Sequence, residues 1–94
     1  MKIWAKVLKG DKILRDVMYE NEVALTPKGF TKMLQEVSYL LDISTPISLP
    51  THLKHFERFN RIKYVPRDFI EDVEFTSVVF ERVTEDKKPK NFYI

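Results

Sequence analysis

The sequence predicts a single α+β domain: an antiparallel sheet of three to four strands, built from an N-terminal hairpin plus C-terminal strands, packed on one amphipathic helix, with a short second helical turn, in the order ββα(α)ββ. Three observations carry this. Two β-rich runs flank Gly10 and Asp11, an apolar stripe on a helical period covers residues 30–41, and residues 73–83 alternate in the manner of a strand. At 94 residues the chain suits one hydrophobic core and not two, so residues 1–94 are read as one domain. A hydrophobic content of 44%, with 13% aromatic residues, is enough to offset the entropy of ordering without a metal or a disulfide.

Residues 2–9 and 12–19 are rich in β-branched and aromatic side chains, and Gly10 with Asp11 suits a type II′ turn that has glycine at its first central position. The register is open at this level. A two-residue loop sets Lys6 opposite Arg15, whereas a three-residue loop ending at Lys12 sets Lys6 opposite Asp16, the better pair across strands.

From Thr26 the period changes. Thr26 is a candidate N-cap, Pro27 suits the first helical position, and Leu25 with Phe30 has the spacing of a hydrophobic staple. Phe30, Met33, Leu34, Val37, Leu40 and Leu41 then form one stripe, which predicts a core-facing helix of about 16 residues ending near Asp42. Gly29 in its first turn should cost about 1 kcal/mol relative to alanine. Residues 44–51, with Pro46 and Pro50, read as an extended connector. Leu53, Phe56 and Phe59, three apart, predict a short helix or 3₁₀ turn capped by Thr51, with all three rings or side chains in the core. Residues 62–65 predict a short strand ended by Pro66. Residues 73–83, apolar on both faces, predict a strand inside the sheet rather than at a solvated edge.

Residues 84–90 are highly charged and contain Pro89, the composition of a tail, yet the chain closes on Phe92, Tyr93 and Ile94, which are expected to dock on the sheet or on a neighbouring subunit.

Composition narrows the chemistry. Without cysteine there is no disulfide framework, thiolate metal site or cysteine nucleophile, and a reducing cytoplasm fits. Lysines interspersed in residues 2–9 leave no continuous apolar region for a signal peptide, and no stretch approaches the length of a membrane span, so no membrane partner is expected. With Gly10 and Gly29 as its two glycines, the chain has no glycine-rich phosphate loop and no nucleophile elbow. His52 and His55 supply two imidazoles three apart, but a zinc site needs a third and fourth ligand that nothing indicates, so neither metal nor cofactor is expected. Adjacent carboxylates, Glu71 with Asp72 and Glu85 with Asp86, read as solvated acidic turns, since general acid–base work needs convergence in a pocket.

The formal charge of +2 says little about partners; its distribution says more. Residues 52–67 carry Lys54, Arg58, Arg61, Lys63 and Arg67 against Glu57, a net of +4, interleaved with Phe56, Phe59 and Tyr64. Cations for phosphates and rings for stacking are what single-stranded nucleic acid requires, so Lys54, Arg58, Arg61, Lys63, Tyr64 and Arg67 are the candidate nucleic-acid-binding residues. Residues 68–86 carry seven carboxylates against Arg82 and can neutralise that block. Trp4, Ile13 and Val17, expected on one face of the hairpin, and the terminal Phe92, Tyr93 and Ile94 give more apolar surface than one small core buries, which makes Trp4 and the terminal triplet the candidate interaction surface.

No catalytic motif is present. The sequence therefore favours a small non-enzymatic protein-interaction or accessory domain, homodimeric in the simplest case, over a single-stranded nucleic-acid-binding module. Third comes a small metal-independent ribonuclease using His52 or His55 as base and Arg58 or Arg61 to steady phosphate charge.

Overall fold

A computed structural model describes residues 1–83. The predicted α+β architecture is the one observed: β1 (Lys2–Lys9), β2 (Lys12–Glu20), α1 (Pro27–Leu40), α2 (Pro50–Phe59), β3 (Arg61–Tyr64), a 3₁₀ turn (Pro66–Asp68) and β4 (Ser77–Val83). The four strands form one antiparallel sheet in the order β2-β1-β4-β3. Residues 84–94, including the terminal triplet expected to dock, lie outside the described residues.

The hairpin turns through Gly10 at φ +62°, a conformation that costs glycine nothing, while Asp11 stays out of the left-handed region. Both register alternatives are resolved by one device. The loop has two residues, with Lys9 opposite Lys12 and Leu8 opposite Ile13, but Val7 then faces Arg15, leaving Leu14 as the extra residue of a β-bulge. The bulge delivers the favourable pair, Lys6 opposite Asp16, from the shorter loop. Thr76 clamps the tip from β4's side: its hydroxyl accepts from Gly10 N–H at 2.9 Å, and its backbone N–H donates to the Leu8 carbonyl at 2.8 Å.

In α1 the Thr26 hydroxyl caps Gly29 N–H at 3.1 Å, as expected, but the helix stops at Leu40, 14 residues long, because Asp42 turns left-handed at φ 59°. Gly29 is not the simple loss that propensity suggests. A Cβ there would run into the carbonyl oxygen and Cβ of Ala24, so the segment before the helix packs against it only because the side chain is missing. The stripe also shifts: Phe30, Met33, Leu34, Val37 and Leu41 are buried, whereas Leu40 is 54% exposed and Ser38 takes a buried place.

The connector buries Pro46 and donates Ile47 N–H to the Asp68 carbonyl at 2.7 Å. The second helical segment is a full ten-residue helix. Its N-cap is Leu49 rather than Thr51, because Pro50 takes the first helical position and His52 Nδ1 accepts from Leu49 N–H at 2.8 Å in place of a hydroxyl. Leu53 and Phe56 enter the core, and Phe59 does not: it is 54% exposed, since a spacing of three drifts around an α-helix and would stay aligned only in a 3₁₀ helix. Asn60, left-handed at φ 60°, ends α2 and turns the chain straight into β3.

β3 has four residues, with Val65 passing to the 3₁₀ turn. β4 is an inner strand paired on both sides, as its two apolar faces predict, but it begins at Ser77. Residues 73–76 lie outside the ladder because Phe75 instead packs edge-on against Phe69, 5.2 Å between ring centroids.

Ile3, Ala5 and Val7 of β1, Val78 and Phe80 of β4, and Ile62 and Tyr64 of β3 form one apolar cluster with both helices, so the helices share one face of the sheet. Phe30 and Phe56 join α1 to α2 at 5.4 Å, and Tyr64 meets Phe80 edge-on at 5.8 Å. Among the described residues no helix covers the other face, although Ser77 and Val79 of β4 are buried there. Among the described residues no helix is long and apolar enough to cross a membrane.

Candidate functional site

The basic aromatic stretch is the first candidate, and the fold divides it. Lys54 and Arg58 lie on the exposed side of α2. In β3, Ile62 and Tyr64 point into the helix-covered core, so Arg61 and Lys63 point to the open face, on the other side of the sheet. Arg67 stands apart on the 3₁₀ turn. Tyr64 offers no stacking surface: it is fully buried, and burial pushes its phenol up to about 12, eased by contact with the Ser48 hydroxyl at 3.4 Å. What remains together is a small group at the end of α2, where the Arg58 guanidinium sits 5.5 Å from the centre of the Phe59 ring and the His55 ring packs on Phe59 at 4.6 Å.

The two histidines are placed differently. His52 caps α2 and packs on Tyr64 at 4.8 Å, and His55 covers Phe59. No group of three or more metal-ligating side chains occurs among the described residues. A cleft of about 320 Å³ is lined by Asp42, Glu71, Asp72 and Glu74 together with Arg15. Arg15 Nε donates to the Leu41 carbonyl at 2.9 Å, and the Ser44 hydroxyl also lines the cleft.

The hairpin side is different. Alternation and the β1 register place Trp4 with Met18, and Leu8 with Ile13, on the open face. Val17 pairs with Ala5 and faces the helices, so it does not share the surface of Trp4 and Ile13 as expected. Trp4 itself is half-buried and held: its indole N–H donates to Asp16 at 2.8 Å, and the Lys6 ammonium lies 4.0 Å from the ring centre while pairing with Glu81 at 3.4 Å.

On the helix side of the same strand, α1 runs antiparallel to β2. The Tyr19 hydroxyl donates to the Glu36 carboxylate near one end and Arg15 reaches Leu41 near the other. Burial and the bond to Glu36 both raise the Tyr19 phenol above its ordinary value, which keeps it a donor. Leu40, one turn beyond Glu36, therefore overhangs the β2 edge. With Tyr39, 84% exposed, and with Tyr19, Gln35 and Glu36, it lines a shallow groove of about 420 Å³. Ile13, Leu14, Met18, Tyr39 and Leu40, five of the nine exposed large apolar side chains among the described residues, lie on this flank of β2 and α1, at a strand whose outer backbone edge is unpaired among the described residues.

Sequence reasoning named Trp4 in this region and missed Tyr39 and Leu40. The signal was there: Tyr39, Leu40 and Leu41 are consecutive, and a helix cannot turn three successive large side chains to one core. Comparison with known proteins adds no relative to this geometry: no family model, no curated protein and no solved structure matches the chain.

Proposed function

We propose that this chain is a small non-enzymatic protein-interaction domain that engages its partner through the flank formed by β2 and α1. The observation that carries the reading is the exposure of Met18 and Leu14 on β2, and of Tyr39 and Leu40 on α1, about a strand edge that is unpaired among the described residues, where a partner gains backbone hydrogen bonds and apolar burial together. Aromatic and aliphatic groups beside a polar margin of Gln35 and Glu36 fit the anatomy of such contacts.

A nucleic-acid reading keeps Lys54, Arg58 and Phe59 on one surface and loses Tyr64, Arg61 and Lys63 to other sites, which leaves it second. The ribonuclease reading stands third: His52 Nδ1 is taken by the Leu49 N–H, and His55 has Arg58 beside it on the exposed side of α2 but, among the described residues, no partner carboxylate in a hydrogen bond.

The test is affinity capture of the tagged protein from its own cell extract, wild type against a Tyr39→Lys, Leu40→Lys double variant and an Arg58→Ala, Lys54→Ala double variant. A protein partner, itself or another, whose recovery falls in the first variant and not in the second is the expected result. Recovery of nucleic acid that depends on the second variant alone would reverse the ranking.

A further inference from the structure

We propose that the partner on this flank is a second copy of the chain, paired antiparallel along β2 about a two-fold axis at Val17. The inference rests on the interaction reading above and adds the identity of the partner and the register.

The two edges of the sheet are not equally available. β3 has four residues, is followed by Pro66, and carries Arg61 and Lys63. β2 has nine residues without proline or glycine. Its first half is interrupted by the bulge at Leu14 and by Arg15, a charge turned inward to Leu41, both of which discourage pairing. The regular free edge therefore runs from Arg15 to Glu20.

Charge selects the direction. Lys12 and Arg15 lie in the first half of β2, Asp16 and Glu20 in the second. An antiparallel copy sets the basic half against the acidic half, whereas a parallel neighbour sets like against like.

Symmetry then selects the register. A two-fold axis perpendicular to the sheet keeps each face continuous and must pass through a residue, which pairs with itself. An axis at Arg15 opposes two guanidinium groups, one at Asp16 opposes two carboxylates, and one at Met18 sets Asp16 against Glu20. With the axis at Val17, Asp16 faces the partner's Met18, Leu14 faces the partner's Glu20, and Arg15 faces the partner's Tyr19, with no like charges opposed. The partner's Tyr19 is bonded to the partner's Glu36, so the free N–H groups of Arg15 meet a carboxylate. Val17 is partly buried and apolar, suited to meet its own copy.

The helix layer agrees with this axis. Arg15 lies level with Leu41 and Tyr19 level with Glu36, so Val17, midway, falls level with the turn beginning at Ser38 that carries the exposed Tyr39 and Leu40. Those two exposed side chains come face to face across the axis, and the four-stranded sheet doubles into one continuous sheet with all helices on one side.

The absence of cysteine makes the register directly testable. Light scattering after size exclusion on the wild-type chain at micromolar concentration should give twice the monomer mass. Val17→Cys, oxidised with oxidised glutathione, should form a covalent dimer, and Lys63→Cys on β3 should not. Leu40→Lys, on an exposed position, should keep the circular dichroism of the parent and weaken association about tenfold or more. A wild-type monomer overturns the proposal and leaves the interaction reading to the capture experiment. A dimer that crosslinks through Lys63→Cys and not through Val17→Cys, or that ignores Leu40→Lys, overturns the β2 pairing while self-association itself stands.

Discussion

The two flanks of the sheet treat their exposed edges in opposite ways. On the β3 side the strand is short, α2 closes over it, and the aromatic side chains Phe56 and Tyr64 are spent inside, under His52, with cations left outside. On the β2 side the strand is long, α1 reaches only part of it, and apolar groups remain in solvent on both faces. One flank repels neighbours by charge and brevity; the other guards only the half that bears the bulge and Arg15. An aromatic residue near an edge is thus informative only once its side of the element is known.

The sharpest test of that contrast uses two rings on one helix. Phe56→Ala should cost about 3–5 kcal/mol in urea denaturation, because the ring is fully buried against Phe30, and Phe59→Ala should cost under about 1 kcal/mol. Equal losses would mean that α2 is rotated from the position described.

Next come the two tyrosines, one under each flank. The Tyr64 phenol is held at about 12 in the folded chain against about 10 when unfolded, so the stability it contributes is complete below pH 10 and is lost as pH rises through 12. Across that window Tyr64→Phe should remove about 2–3 kcal/mol of alkaline destabilisation, seen as a flatter dependence of the melting temperature on pH. Tyr19→Phe should flatten it in the same direction, since its phenol is raised as well. An unchanged alkaline slope in Tyr64→Phe would place that hydroxyl in water.

Arg15→Ala tests the guarded end of β2. Loss of the hydrogen bond to the Leu41 carbonyl should destabilise by about 1 kcal/mol, read as a lower urea midpoint. No change would remove Arg15 as the link between β2 and the end of α1. The smallest effect is expected inside the core that both flanks share. The Ser38 hydroxyl is buried with no hydrogen-bond partner among the described residues, so Ser38→Ala should leave stability unchanged or raise it by up to about 1 kcal/mol. A clear loss in calorimetry would reveal a partner for that hydroxyl.

Much of the fold was legible because its signals are local. Gly10 and Asp11 mark the hairpin, Thr26 and Pro27 mark the start of α1, and the two-faced apolar pattern of residues 73–83 marks an inner strand, which forms over Ser77–Val83. What failed to read depended on rotation or distance. The three-residue spacing that put Phe59 in the core holds for a 3₁₀ turn and drifts out of line in the α-helix that forms. The bulge at Leu14 has no residue type that announces it. The clustered cations of residues 52–67 suggested one surface, yet alternation in β3 alone, with Ile62 and Tyr64 on one side and Arg61 and Lys63 on the other, already divides them. The interaction flank stayed hidden because it joins residues 13–19 to residues 35–40, which only the packing of α1 on β2 brings together.

The strand order has a consequence for how the chain comes to be folded. β1 pairs on its inner side with β4, Lys2 opposite Val83, so β1 is completed only by the last described strand. Until β4 emerges, the hairpin presents an unpaired backbone edge next to Ile3, Ala5 and Val7, residues that end fully buried. Such late closure predicts slow folding for so small a domain, and a nascent chain that is most prone to aggregate after the hairpin has emerged and before β4 has. During that interval the hairpin has two open edges, and only the one at β2 carries a bulge and an inward charge to discourage premature pairing.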